Sequence, residues 1–97
     1  MSLMALALAV TDETTAGDRV AGELVLPSAV LTLRELIRLR INHPDAEAQF
    51  VKAITAFRKN GFLVLVDDRQ ITDLDEILHL TPDTRVAFLR LVPLAGG

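Results

Sequence analysis

The sequence predicts a single α+β domain, because strand-like segments at both ends of the chain enclose two helix-like segments. The chain has 97 residues, which is too short for two domains that each bury a core. Hydrophobic residues make up 51% of it and charged residues 24%, a balance typical of a globular protein. We therefore expect one core.

The chain opens with a predicted hairpin. Residues 5–10 alternate alanine with leucine or valine, and this period of two places successive side chains on opposite faces of a strand. Polar residues 11–19, with a turn signal at Gly17, separate this strand from a second alternating segment over residues 20–26. The pattern indicates two antiparallel strands that end at Pro27.

Two helices are predicted after the hairpin. Thr32 and Glu35 have the spacing of a capping box, and the apolar residues that follow recur at helical intervals, so a helix is expected over 33–41. Pro44 disfavours helical backbone just before it, and a second helix is expected at about 45–59. The apolar stripe of this second helix consists of Phe50, Ile54 and Phe57.

The C-terminal third contains further strands. Residues 62–66 are continuously apolar and predict a mostly buried strand, and residues 85–92 alternate as a last strand should. Residues 70–80 mix apolar and acidic side chains, which fits either one helical turn or a short irregular strand.

The composition excludes several classes of function. There is no cysteine, which removes disulfides, thiolate zinc ligands and a catalytic thiol, and which fits a reducing compartment such as the cytoplasm. A net charge of −3 disfavours nucleic-acid binding. The apolar runs are shorter than the ~18 residues of a membrane-spanning helix. No nucleophile–base pair or set of metal ligands can be assembled, so we expect neither an enzyme nor a resident metal.

Three segments of the chain resemble the β-grasp fold of ubiquitin-like proteins and sulfur carriers. They are residues 4–41, residues 64–74 (Val-Leu-Val-Asp-Asp-Arg-Gln-Ile-Thr-Asp-Leu), and residues 81–97, which end in Pro-Leu-Ala-Gly-Gly. The closest likeness is to the molybdopterin synthase small subunit and the thiamine-pathway sulfur carrier. The helix at 45–59 is extra relative to this family, and the chain after Phe88 is longer than usual in it. The resemblance implies a mixed sheet of four or five strands, with the helix at 33–41 packed across one face. It also implies that the first and last strands pair in parallel.

The resemblance also implies a carrier that is activated at its C-terminus. An adenylating enzyme of the ubiquitin-activating type would supply the ATP and magnesium sites and would adenylate the carboxylate of Gly97. Sulfur would then convert the acyl-adenylate to a thiocarboxylate for a downstream sulfur acceptor or synthase subunit, or an amine would convert it to an isopeptide. Because Gly96 and Gly97 lack Cβ atoms, the tail can thread a narrow channel. The chain itself would need no cofactor.

We expect residues 93–97 to form a flexible tail and Met1-Ser2-Leu3, before Met4, to be a cloning extension. If Val86 and Phe88 face the helix, the leucines at alternate positions face away and form an exposed apolar patch. The candidate partner-binding residues are therefore Leu63, Leu65, Leu89, Leu91 and, in the tail, Leu94.

Two alternatives remain open at this point. The helix at 45–59 could cover the leucine patch, which would turn it into a second core. The chain could also be a β-grasp interaction module, or a small subunit of a larger complex, whose C-terminus is never activated.

Overall fold

The computed structural model describes residues 5–92, which form two helices and seven strands. In chain order they are β1 (Leu6–Thr14), β2 (Arg19–Leu26), β3 (Val30–Thr32), α1 (Leu33–Arg40), α2 (Ala46–Arg58), β4 (Phe62–Val66), β5 (Arg69–Ile71), β6 (Ile77–His79) and β7 (Arg85–Arg90).

Five of the strands form one mixed sheet in the order β2-β1-β7-β4-β5. β1 and β7 pair in parallel, and every other neighbouring pair in this sheet is antiparallel. The predicted α+β class, the mixed sheet and the parallel pairing of the first and last strands are thus confirmed, and the architecture is β-grasp-like.

The β1–β2 hairpin extends farther than the sequence pattern indicated. Its strands pair without interruption from Leu6 with Leu26 to Glu13 with Arg19. The turn closes through Thr14, whose backbone N–H donates to the carbonyl of Asp18 at 2.9 Å, and Gly17 takes a positive φ of 97° that favours glycine. The polar residues 11–14, read as loop from their composition, continue β1 because β7 pairs beside them.

Helix α1 begins at the predicted capping box. The Thr32 hydroxyl accepts from the Glu35 N–H, and the Glu35 carboxylate accepts in return from the Thr32 N–H. Helix α2 begins after Asp45, and after Lys59 the chain turns through Asn60, which has a positive φ of 58°. Both helices lie within one residue of the predicted bounds.

Segment 70–80 contains two short strands and no helix, which settles the alternative that the sequence left open. β5 pairs with β4 across a two-residue turn at Asp67 and Asp68, both with positive φ. β6 pairs with β3 in a separate two-stranded sheet, which the sequence did not predict because the two strands are only three residues long and lie 45 residues apart in sequence.

Both helices pack on the same side of the five-stranded sheet. Their buried residues share a single core with the sheet side chains that point toward them, and this side is called the covered face. The aromatic rings of Phe57 in α2, Phe62 in β4 and Phe88 in β7 follow one another at centroid distances of 5.7 and 6.3 Å. The alternative in which α2 covers the opposite face is therefore wrong. The main sheet residues of the covered face are Leu8, Val10, Leu26, Val64, Val86 and Phe88.

Candidate partner-binding face

The other side of the sheet, here called the open face, carries the alternate residues of the same strands. No helix within residues 5–92 packs against it, since the buried residues of α1 and α2 all belong to the core on the covered face. Its apolar centre lies on the neighbouring strands β4 and β7 and consists of Leu63, Leu65, Ala87 and Leu89.

The apolar centre is formed by direct cross-strand pairs. Leu63 lies opposite Leu89, and Leu65 lies opposite Ala87, so the three predicted leucines of these strands do come together. They are only partly exposed, so the predicted apolar patch is less accessible than the alternation of the strands indicated.

A shallow depression lies beside the leucines, toward β1. Its volume is about 360 Å³, and Ala9, Thr11 and Ala87 contribute small side chains to it. Arg19 and Arg85 also line it, together with the two aspartates of the β4–β5 turn. The open face thus combines a group of leucines with this depression, here called the hollow, which charged residues line in part. Such a surface suits a protein partner that makes both apolar and polar contacts.

Strand β7 leads from this face to the C-terminal tail, and its end is held on both sides. The N–H of Val92 donates to the Thr15 hydroxyl at 2.8 Å, and the N–H of Thr15 donates to the carbonyl of Arg90 at 3.0 Å. On the other side, the N–H of Leu91 donates to the carbonyl of Gly61 at 3.1 Å. The backbone is therefore fixed up to Val92, two residues beyond the end of β7.

The predicted site residues divide into two groups. Leu91 lies just past β7 and is 39% exposed, which makes it the most accessible of the predicted leucines within residues 5–92. Leu94, Gly96 and Gly97, together with the predicted flexibility of the tail and the expected extension at residues 1–3, lie outside the described residues. No sequence pattern predicted that Thr15 holds the end of β7, because its contact with Val92 joins residues 77 apart in the chain.

A groove on the covered side, between the hairpin and the helices, has different chemistry. It measures about 480 Å³ and is lined by apolar side chains that include Val20, Ile41 and Phe62. Arg40 enters it and forms an ion pair with Asp12. The lining carries three carboxylates (Asp12, Glu13 and Asp18) against two guanidinium groups (Arg40 and Arg90), which disfavours an anion site there.

The acidic stretch near β5 and β6 forms ion pairs with arginines. Asp75 pairs with Arg34 at 3.2 Å, and Glu76 pairs with Arg69 at 2.6 Å. The hydrogen bond from Arg69 to the Glu76 carboxylate raises the pKa of the Arg69 guanidinium. Within residues 5–92, no three His, Asp or Glu side chains are grouped as a metal site requires.

Comparison of the sequence with family models and with characterised proteins gives no significant match. Among the helices in residues 5–92, none combines the length and the apolar character needed to cross a membrane.

Proposed function

We propose that this protein is a ubiquitin-like protein or sulfur carrier whose Gly97 carboxylate is adenylated by a partner enzyme. The observation that carries the proposal is the position of β7. This strand lies in the middle of the sheet, in parallel with β1, and brings the chain out beside the open face. An enzyme bound to the leucines of that face would be close to the start of the tail.

The anchoring of the last described residues supports this function. Because Thr15 and Gly61 hold the backbone on both sides, the tail starts from a fixed point. An activating enzyme that grips the open face could then direct only five further residues, 93–97, toward its nucleotide. A rigid origin lowers the entropy that must be lost when the tail is ordered in a channel.

The chemistry requires a partner for every catalytic step. The partner would bind ATP and magnesium, and attack of the Gly97 carboxylate on the α-phosphorus would release pyrophosphate and form the acyl-adenylate. A sulfur donor would then displace AMP and leave a thiocarboxylate, or an amine would displace it and leave an amide bond. Gly96 and Gly97 contribute a backbone without Cβ atoms that can lie close to the nucleotide.

The second candidate is an interaction module or small subunit that is never activated. The open face favours it equally, since its leucines and its hollow would serve a partner without any chemistry at the tail. The two candidates differ in whether Gly97 is activated, and activation can be measured.

The deciding measurement is the intact mass of the protein purified from its own host. The carrier function predicts a fraction heavier by one sulfur-for-oxygen exchange, or a covalent conjugate through Gly97. The control is Gly97→Ala, which we expect to unfold at an unchanged temperature because the sequence predicts a flexible tail over residues 93–97. This variant should show neither modification. Unmodified protein in the host would favour the module instead. Equal turnover of both proteins by the adenylating enzyme would count against the narrow-channel role of the glycines.

The open face has its own test in Leu89→Asp. Leu89 is partly exposed and lies outside the core, so we expect a loss of only about 1 kcal/mol in unfolding free energy. Partner binding, measured by calorimetry or co-purification, should weaken at least about tenfold, since a carboxylate would enter the centre of the contact. Val51→Asp is the matched control, because Val51 is 59% exposed on α2, away from the open face. Equal effects of the two variants on binding would argue against this face.

A further inference from the structure

Among residues 5–92, no strand pairs with the outer edge of β2, which is a long strand edge. β2 is the last strand on its side of the sheet and spans eight residues, Arg19–Leu26. It contains no proline and no lysine, and its uninterrupted pairing with β1 leaves no bulge. Natural edge strands commonly carry one of these features, because unpaired N–H and C=O groups otherwise recruit another strand.

The hydrogen-bond pattern of the hairpin determines which groups are free. Since Thr14 bonds to Asp18, the antiparallel alternation directs the backbone groups of even-numbered β2 residues toward β1. The N–H and C=O groups of the odd-numbered residues therefore point outward. These residues are Arg19, Ala21, Glu23 and Val25, and all four are exposed.

The outward positions carry a charge pattern that is complementary to itself. When β2 pairs antiparallel with β2 of a second copy around Ala21, Arg19 lies opposite Glu23 of that copy. The symmetry repeats this pair, so one interface contains two pairs of opposite charge. A shift of two residues, in which Ala21 lies opposite Glu23, also matches the backbone groups but loses both direct charge pairs. The charges thus select one register.

The same register also matches side-chain size. It places Val20, which is 65% exposed, opposite Gly22 of the second copy. A second, smaller hollow of about 140 Å³ lies at Gly22, between Val20 and Leu24. The fold does not require glycine there, because a Cβ atom at position 22 would meet only the carbonyl oxygen of Val10, at 3.9 Å. The hollow therefore leaves space at the edge for a valine from outside.

We propose that two copies of this chain pair through β2 into a symmetric dimer with a continuous ten-stranded sheet. In this pairing, residues that lie opposite each other belong to the same face of the two sheets. The helices of both copies therefore lie on one side of the joined sheet, and the two open faces form one surface on its other side. The hairpin turns point in opposite directions, which places the two Val92 residues at opposite ends of the dimer. The dimer therefore neither needs nor blocks the proposed chemistry at Gly97.

The test uses two single variants, Arg19→Glu and Glu23→Arg, studied by sedimentation velocity over a range of concentrations. Each variant places like charges opposite each other at both pairs, so we expect the dimer Kd to rise about tenfold or more. An equimolar mixture of the two variants should associate again, because each acidic edge then meets a basic one. The double variant Arg19→Glu/Glu23→Arg should likewise form a homodimer.

Ala21→Pro provides an independent block. The N–H of Ala21 points outward, so proline removes no hydrogen bond to β1. Circular dichroism should show an unchanged fold, and sedimentation velocity should show a monomer. Gly97→Ala is the control and should dimerise like the unaltered chain. The proposal is overturned if the chain stays monomeric up to about 1 mM, a range in which weak complexes are populated. It is also overturned if a dimer forms but the charge variants leave it unchanged, or if their mixture fails to associate, since another surface would then be responsible.

Discussion

The covered and open faces of the sheet are built from the same strands and nearly the same residue types, yet they differ in what they contribute. On β4, Val64 is fully buried under the helices, while the next residue, Leu65, remains partly exposed on the other side. Hydrophobicity alone does not separate the two positions. An apolar strand in a sheet with one helical layer therefore holds core residues and surface residues in alternation.

The difference follows from where the helices place their apolar stripes. α1 contributes Leu33, Leu36 and Ile37 to the core, and α2 adds its own stripe on the same side. Burial is worth roughly 25 cal/mol for each Å² of apolar surface removed from water, so most of the folding free energy comes from the covered face. The leucines of the open face are available for binding because stability depends on them much less than on the core residues.

The largest expected effect comes from a carboxylate introduced on the covered face of β4, compared with one introduced on the open face. Val64→Asp buries an unpaired charge between the sheet and the helices, so we expect a loss of about 4 kcal/mol or more, enough to unfold a domain of ordinary stability. The neighbouring Leu65→Asp should cost about 1 kcal/mol, because water reaches the open face. Urea denaturation of both variants measures the difference. Similar losses in the two proteins would mean that both faces are core.

The second prediction concerns the extra helix. Phe57→Ala removes the α2 side chain that contacts Phe62, and we expect a loss of about 3 kcal/mol in unfolding free energy. Val51→Ala lies on the exposed side of the same helix and should change stability by no more than about 0.5 kcal/mol, since alanine is the better helix former. Thermal unfolding of the two variants compares the buried and exposed sides of α2. If Phe57→Ala were as mild as its control, α2 would not belong to the core of the covered face.

Structure follows from sequence patterns most directly where the determining interactions are local. The capping box at Thr32 and Glu35 specifies where α1 begins, and the period of two specifies the hairpin strands, because each signal acts within a few residues. The small sheet of β3 and β6 was not predicted. Its strands each have three residues, too few to show a period, and they are brought together by the packing of the whole chain.

The candidate site was predicted in part, for the same reason. Alternation placed Leu63, Leu65 and Leu89 on one face, and the sheet register brings them together. Their partial burial, the hollow at Ala9 and the hydrogen bond from Val92 to Thr15 depend on neighbours that are distant in sequence. The side on which α2 packs also could not be read from its stripe, because an amphipathic helix shows which of its own sides is buried but not what covers that side.

The smallest expected effect concerns the ion pair between α1 and α2, which could help to hold the two helices together over the covered face. Arg38 of α1 donates to the Glu47 carboxylate of α2 at 2.8 Å, and its guanidinium lies 3.9 Å from the centre of the Phe50 ring. The hydrogen bond from Arg38 lowers the pKa of Glu47, so the folded state favours the ionised carboxylate more than the unfolded chain does. The stabilisation is therefore present above about pH 5 and is lost as the pH falls through the lowered folded-state pKa.

We expect Glu47→Gln to lower the unfolding temperature slightly at neutral pH and to have no effect once the carboxyl is protonated. Because both side chains of the pair are well exposed, salt should weaken the neutral-pH difference as well. The measurement is the difference in unfolding temperature between Glu47→Gln and the unaltered chain from pH 7 down to about pH 3. A difference that is constant across this range would show that Glu47 acts through packing. In that case the ion pair between Arg38 and Glu47 would add nothing to the contact between the two helices.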